Sequence, residues 1–451
     1  MAIEITSFQI NIIISETTIT NEYNIIGFSS VKTKSFENDI IINEENFFLD
    51  FFKAYNEVLK SSGLEFTYLI PINLILNFKN NKVFKNTIKK TVNNHINEEL
   101  ISNIKYENKN YPYLKKEYEL LKTIELKYFI DKHETKEYLY KKCNTFSIDF
   151  LNIFVNSNNL EIIKNTIKKL NQNIIINKID IDASTLPFSF EEKIYRQNYS
   201  IVNIKNNFID LNLYENNILI NKYTILSGNK NIIKDLQILL NIDEKEAINI
   251  SKKYLFKIFD EKSENEINTI KIVNVKENIF EEVEISYIKE IIKTRIYEFL
   301  LLINRIIIDN YLFEYTDNGI YLLNNEDYLN SNLFLIETSK KDDIIKKLNY
   351  QFKFDLKIKN EFKNLFIFEQ NKLSYVSLLG SLINENNNLN NNDNLLDLKN
   401  INEKKELLED IFEFKQKNTF TKTIKNSTLN YSKKYFVIPY RKSIKWLGNL
   451  F

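Results

Sequence analysis

The chain has 451 residues, and Lys+Arg 61 against Asp+Glu 60 leave a formal net charge of +1, so no global field selects nucleic acid or an acidic substrate. One cysteine (Cys143), two histidines (His95, His133) and six glycines exclude disulfides, thiolate zinc and iron–sulfur sites, multi-histidine metal sites, a Walker loop and a G-x-G-x-x-G dinucleotide turn. No run of about 18 apolar residues occurs and residues 1–30 lack a signal-peptide pattern, so a reduced, cytoplasmic protein that does not span a membrane is expected.

The first hundred residues read as α/β. Ile10 to Ile14 and Tyr23 to Ser30 are β-rich runs joined by a polar turn, which predicts a hairpin. After Asn43, an N-cap residue type, Phe48, Phe51, Phe52, Tyr55 and Leu59 recur at helical spacing, and Gly63 closes the helix. A strand is predicted over Phe66 to Ile70, ended by Pro71. From about Asn80 to Asp180 the pattern becomes helix, strands, helix, strand, with strands at Leu126 to Ile130, Ser147 to Val155 and Ile174 to Asp180 and a helix at Leu160 to Leu170. That segment reads as a small α+β unit of its own.

A second α/β part begins near Ser184. Three strands are predicted at Tyr199 to Ile204, Phe208 to Tyr214 and Ile218 to Leu226, followed by helices at Asn229 to Leu240, Glu244 to Tyr254 and Ser286 to about Asn310. Strands and helices alternate again over Leu312 to Asn384. Asn384 to Asn394 holds eight asparagines in eleven positions, a low-complexity linker signal. The acidic segment Glu403 to Glu413 reads as a solvated amphipathic helix or linker, and a basic C-terminus follows.

Two strand–turn–strand units in separate halves carry a resemblance in order along the chain. Ile3-Glu4-Ile5-Thr6-Ser7-Phe8-Gln9 and Tyr23-Asn24-Ile25-Ile26-Gly27 resemble L-E-I-G-T-x-K and N-I-I-G. Ile201 to Tyr214 aligns without a gap to V-V-D-I-G-G-G-T-x-D-I-x-V-Y, and Ser227-Gly228-Asn229 with Asp235-Leu236 resembles the G-G-N and T-x-D-I that come next. Ile288 to Arg295 resembles L-A-E-V-I-E-P-R, and Tyr375 to Gly380 resembles S-x-x-x-G-L-L. These motifs are those of the bacterial cell-division protein FtsA family of actin-like ATPases. The resemblance implies an α/β, actin-like two-lobed fold with an inserted small α+β subdomain and a C-terminal amphipathic helix. It divides the chain into a first lobe (1–79), an FtsA-type insert (80–180), the phosphate-hairpin part of a second lobe (181–227), a small subdomain of that lobe (228–300), the return of both lobes (301–383), a charged linker (384–435) and a membrane-targeting helix (436–451).

The departures from the family pattern fall on the nucleotide site. Thr6 replaces a glycine of the first phosphate turn, next to Ser7, and Gln9 replaces a lysine. Lys205, Asn206 and Asn207 replace three consecutive glycines whose bare backbones would approach the phosphates. Asn203 replaces the aspartate that would organise Mg²⁺-bound water. The adenosine-side G-G appears as Thr316-Asp317-Asn318, with Gly319 one position late. Asp210 and Gly228 persist. No catalytic residue and no metal site are assigned. The expected protein is a pseudo-ATPase, for which ATP and Mg²⁺ are cofactors only if this degenerate pocket still binds; a functional actin-like ATPase is the alternative.

On a helical wheel Ile444, Trp446, Leu447, Leu450 and Phe451 fill a sector of about 160°, opposite Arg441, Lys442 and Lys445. That pattern suits the headgroup layer of an anionic membrane; a helix docked on the protein's own core is the other reading. By the resemblance, the chain self-associates into filaments and tethers an FtsZ-type polymer to the cytoplasmic face of the cell membrane at the division site. The polymer's C-terminal tail would dock around residues 228–300, with Lys276, Lys293 and Arg295 as candidates for the contact. A pilus-assembly actin homologue that recruits a different cytoplasmic tail is the related alternative. His95, His133 and Cys143 read as ordinary structural or surface residues, and the 26 tyrosines and 33 phenylalanines read as packing, without nucleic acid.

Overall fold

In the computed structural model, the residues described are 1–17, 22–64, 71–92, 95–110, 117–170, 175–190, 198–254, 269–276, 279–316, 320–324, 352–353, 362–363 and 375–390. Residues 1–385 form one unit and residues 386–451 a second, of which only 386–390 are described. The chain opens with β1 (Ala2–Thr6), β2 (Gln9–Thr17) and β3 (Tyr23–Lys32), a short hairpin of β4 (Phe36–Glu37) and β5 (Ile40–Ile41), helix α1 (Glu44–Ser62) and β6 (Ile72–Asn77). Helix α1 starts where Asn43 Oδ1 accepts the Asn46 N–H at 2.9 Å and stops at Gly63, whose φ of 69° is left-handed, as those two residue types dictate. Its buried stripe is Phe47, Phe51, Ala54, Tyr55, Val58 and Leu59. Phe48 and Phe52, expected in that stripe, stack on each other at its half-buried margin.

The predicted strand over 66–70 lies outside the described residues; the strand that enters the sheet is β6, just beyond Pro71. An insert then leaves the sheet as β7 (Lys82–Thr91), α2 (Glu98–Asn110), β8 (Tyr118–Ile130), β9 (His133–Thr135), β10 (Thr145–Asn156) and α3 (Ser157–Leu170), before β11 (Ile176–Ile181) and the single turn α4 (Asp182–Thr185). The segment expected to open with a helix opens instead with strand β7, paired antiparallel to β10 over ten residues, and the helix, α2, follows it. Strand β7 is an edge strand, and its lysines, which suit an exposed edge, hide its alternation. The insert's sheet, in the order β7-β10-β8-β9, has a core of its own built on Ile104, Phe146, Ile148 and Phe150.

The second half runs β12 (Asn198–Ile204), β13 (Ile209–Glu215), β14 (Ile218–Ile225), α5 (Asn229–Leu240), α6 (Glu244–Tyr254), β15 (Thr269–Asn274), β16 (Ile279–Glu284), α7 (Ile285–Asp309), β17 (Ile320–Asn324), β18 (Phe352–Lys353), β19 (Phe362–Lys363) and α8 (Val376–Asn390). Helix α8 continues through Asn390, so the linker expected from residue 384 begins inside a helix.

The two large sheets repeat one topology. In lobe I the order is β3-β2-β1-β6-β11, with β19 added beside β3, and in lobe II it is β14-β13-β12-β17-β18. Each is a three-stranded antiparallel meander whose first strand continues into parallel strands. Strands β1, β6 and β13 are buried on both faces or nearly so, as the central strands of a covered sheet must be. One face of the lobe II sheet packs on α5, α6 and α7. Its other face presents Tyr199, Ile201, Tyr214 and Leu323 to the core of lobe I.

Candidate functional site

The carboxyl ends of β6 and β11 in lobe I and of β12 in lobe II converge on one buried point, the place where α/β sheets ordinarily hold ligands. The first turn, Thr6 to Gln9, closes on itself. Thr6 Oγ1 accepts the N–H groups of Phe8 and Gln9, at 3.3 and 2.9 Å, and donates to the Gln9 carbonyl at 2.9 Å. The amides that a phosphate would need are thus already engaged by the side chain that replaces glycine. Gln9 is buried and Ser7 half-buried beside it.

The second turn is tied down through its backbone, although the buried Asn206 Oδ1 has no hydrogen-bond partner. The Lys205 N–H donates to the Phe208 carbonyl at 3.0 Å, and the Lys205 and Asn206 carbonyls accept the first N–H groups of α5, from Asn229 and Lys230, each at 2.9 Å. This seat needs Gly228, because a Cβ there would lie 2.3 Å from the Lys205 carbonyl oxygen. Asn207 is half-buried at the turn's corner.

From this turn the Lys205 side chain crosses between the lobes. Its Nζ donates to Asn77 Oδ1 and Asp182 Oδ2 of lobe I, both at 2.6 Å, and to Asp210 Oδ2 of lobe II at 2.7 Å. Three protons meet three acceptors, the full capacity of an ammonium. Lys205 is 3% exposed and both carboxylates 0%. Asp210 also takes Lys222 Nζ at 3.0 Å and Thr224 Oγ1 at 2.6 Å, and the Phe208 ring lies 4.6 Å from the Lys205 ammonium. Burial alone would lower the Lys205 pKa, but Asp182 and Asp210 overturn this and hold it above the ordinary lysine value. Burial likewise pushes the Asp210 pKa up, and Lys205 and Lys222 bring it below the usual carboxylate value.

A second buried acid extends the network. Glu4 accepts hydrogen bonds from Asn77 Nδ2 at 2.9 Å, Asn11 Nδ2 at 3.1 Å and Ser377 Oγ of α8 at 2.7 Å. Desolvation outweighs these donors and raises its pKa. Asn203 points into the same region from β12, fully buried, and its amide has no hydrogen-bond partner.

Chemically, the centre is a closed ion cluster. A Mg²⁺–nucleotide would have to displace the Lys205 ammonium, strip the amides of the first turn from Thr6, and coordinate beside Asn203, a neutral amide where a hard cation prefers an anionic oxygen. Removing one member of such a buried pair costs about 3–5 kcal/mol. No cluster of potential metal ligands occurs among the described residues. The replaced glycines mark this centre in the sequence, whereas Asn77, Asp182, Lys222 and Thr224 carry no motif. The signal for Asp182 is faint, a second acid in Asp180-Ile181-Asp182 at the end of an apolar strand.

The remaining predicted residues lie elsewhere. Thr316 is buried, and 317–319 and the residues from Arg441 to Phe451 expected to meet a membrane lie outside the described residues. Lys276 is exposed at the end of β15, and Lys293 packs 5.4 Å from the Tyr297 ring. Arg295 is paired with Asp235 and Glu298. Near it, two adjoining surface cavities of about 340 and 330 Å³ share Leu239 and Tyr287 and form one groove between α5, β16 and α7. Its walls carry Asp235, Glu281, Glu282, Glu284, Glu290 and Glu298 against the single cation Arg295.

No family model matches the sequence, and no curated protein does. Solved structures do match the fold. The chain is similar to a structure of a PilM–PilN type IV pilus biogenesis complex, with TM-score 0.55 and 10% identity over 84% of this chain and 96% of that one. It is also similar to MreB5 of Spiroplasma citri bound to ADP, with TM-score 0.46 and 10% identity over 87% and 98% of the two chains. A third likeness is to the ethanolamine utilization protein EutJ of Carboxydothermus hydrogenoformans, with TM-score 0.44 and 9% identity over 85% and 88%. At such identities the likeness establishes architecture and no narrower kinship. With its duplicated sheet topology and its match to the PilM–PilN structure, the chain has the actin-like ATPase fold.

Proposed function

We propose that this chain is an actin-like scaffold that does not turn over ATP, self-associates, and tethers an FtsZ-type polymer to the cytoplasmic face of the cell membrane at the division site. The observation that carries the reading is the Lys205 ammonium, bonded to Asn77, Asp182 and Asp210 at the junction where the fold would otherwise admit phosphate and metal. The tethering part rests on the ordered FtsA-like motifs and on the basic amphipathic sequence of residues 436–451. The partner tail docks in the groove of lobe II. Six carboxylates around Leu239 and Tyr287 select a segment that sets basic side chains beside apolar anchors.

The test is co-sedimentation of the full chain with anionic liposomes and an FtsZ-type polymer, with and without residues 436–451 and with and without Mg²⁺-ATP. The expected result is recruitment of the polymer to liposomes by the full chain alone, unchanged by ATP and lost with the truncation. ATP-dependent recruitment accompanied by phosphate release would show an ATPase instead.

A further inference from the structure

We propose that the Lys205 side chain is a built-in counter-ion that holds the two lobes closed in the place of a bound metal–nucleotide, so that closure of this molecule needs no ligand. The inference rests on the reading of the centre as inactive toward ATP, and it adds what the lysine does there.

The argument begins with which lobe each group belongs to. Lys205 follows β12 of lobe II. Asn77 ends β6 and Asp182 begins α4 directly after β11, so both are fixed to neighbouring parallel strands of lobe I. Two of the three ammonium bonds therefore cross between lobes, and the third, to Asp210, stays within lobe II. Any hinge opening separates Nζ from Asn77 and Asp182 while leaving it beside Asp210.

The two carboxylates answer such an opening differently. Asp210 keeps Lys222 and Thr224, which stand on its own sheet. For Asp182, Lys205 is the one ion-pair partner among the described residues, and its Oδ1 has no hydrogen-bond partner. The electrostatic penalty of opening thus concentrates on Asp182, a fully buried anion that would lose its cation. The strap also reaches beyond the junction. Asn77, which accepts from Lys205, donates to Glu4, and Glu4 accepts from Ser377 of α8, so one chain of polar contacts runs from the lobe II turn to α8 of lobe I.

Besides one further ion pair, Lys127 of the insert with Glu215 of β13 at 3.1 Å, contacts independent of charge also join the lobes. Tyr199 and Tyr214 stack with ring centres 5.1 Å apart against the lobe I core, and the Tyr214 hydroxyl donates to the Ala183 carbonyl at 2.8 Å. One apolar cluster spans the junction, joining Tyr199, Ile201, Tyr214 and Leu323 to the lobe I core, and a second lies within lobe II. Loss of the ammonium should therefore open the junction at its polar end without dissolving either lobe.

The test uses small-angle X-ray scattering of the full chain and of Lys205→Met, Asp182→Asn and the double variant, each with and without Mg²⁺-ATP. Lys205→Met keeps an unbranched side chain one atom shorter and removes its charge. It should shift the open-to-closed ratio by at least about a hundredfold, seen as a larger radius of gyration, and the double variant should return toward the wild-type radius because the stranded anion is gone. Wild type should scatter identically with and without nucleotide. If Lys205→Met and the wild type have the same radius, the strap is overturned. Should Lys205→Met prove insoluble, Asp182→Asn alone decides: opening supports the strap, and an unchanged radius overturns it. ATP turnover by the wild type alongside an opened Lys205→Met would defeat the inactive reading and leave the strap standing; no turnover with a closed Lys205→Met would do the reverse.

Discussion

Arg295 on α7 grips Asp235 on α5 through two parallel hydrogen bonds, Nε to Oδ2 at 2.6 Å and Nη2 to Oδ1 at 2.8 Å, and Nη1 turns to Glu298. The fork geometry uses the guanidinium's preferred mode of carboxylate recognition. It also engages the one cation that lines the lobe II groove; with Glu282 facing Lys271 at 3.7 Å, Glu281, Glu284 and Glu290 carry most of its negative sign. A basic partner segment should bind there with an affinity that falls as salt rises. The double variant Glu282→Lys/Glu290→Lys should weaken binding of a labelled basic amphipathic peptide by about tenfold or more in fluorescence anisotropy, at about 1 kcal/mol per exposed charge pair. An unchanged affinity would remove the groove from the contact.

Gly380 on α8 tests how tightly that helix is seated. A Cβ there would lie 2.0 Å from the Thr185 carbonyl oxygen and 2.8 Å from Ser189 Oγ, and the first is backbone that cannot rotate away. Gly380→Ala must therefore lift α8 from α4, straining the Ser189 bond to the Val376 carbonyl and the Ser377 bond to Glu4. A loss of at least about 3 kcal/mol is expected from overpacking with broken hydrogen bonds. Gly63→Ala is the control, since nothing lies within 4 Å and only its φ of +69° is strained, at about 1–2 kcal/mol. Urea melts of the two variants should keep this order.

The legible parts of the sequence were those whose signal is local. Asn43 and Gly63 bracket α1 because capping and left-handed backbone are properties of single residues. The ends of α5 and α6 and the meander of β12, β13 and β14 follow from apolar periodicity within a dozen residues. Strand β7 was hidden because its pairing with β10 lies some 60 residues away in sequence and its lysines mask the alternation. The same limit applies to the site. That Lys205 stands in a glycine position is visible in the chain, but its bonds to Asn77 and Asp182, 128 and 23 residues away, exist only once β6, β11 and β12 end at one point. Arg295 looked available to a partner because Asp235, 60 residues distant, gives no local sign of its pairing.

Stability should depend on pH with two opposed contributions. Asp210 and Asp180 have folded pKa values below the ordinary 3.8, despite burial, because Lys205 and Lys222 face the first and Lys122 and Lys178 the second. Their stabilisation is fully present above that value and is lost as pH falls through the lower folded pKa. Glu4 behaves oppositely. Burial, with Asp182 nearby, holds it above 4.5, so the folded state binds its proton more readily and stability declines as pH rises from that value through the folded pKa. Denaturation midpoints should thus increase as pH falls through the raised Glu4 pKa toward 4.5 and collapse at lower pH. Glu4→Gln should flatten the first limb and Asp180→Asn should soften the second; a wild-type curve without the first limb would show Glu4 ionised like a surface acid.

The C-terminal sequence makes the sharpest claim on a membrane. Burial of Ile444, Trp446, Leu447, Leu450 and Phe451 and the attraction of Arg441, Lys442 and Lys445 to an anionic surface oppose the conformational entropy lost when the segment becomes a helix, so one large anchor matters. Trp446→Glu should release the protein from anionic liposomes, because it places a charge inside the apolar sector. Neutralising Lys442 and Lys445 should weaken binding chiefly at low salt and on anionic lipid, since their contribution is screened within about a Debye length. If one copy binds weakly, self-association should strengthen attachment by raising the effective concentration of neighbouring helices, and binding should steepen with protein concentration. Co-sedimentation of a chain lacking residues 436–451 at the level of the intact protein would assign that segment to the folded body and leave the tether without its membrane anchor.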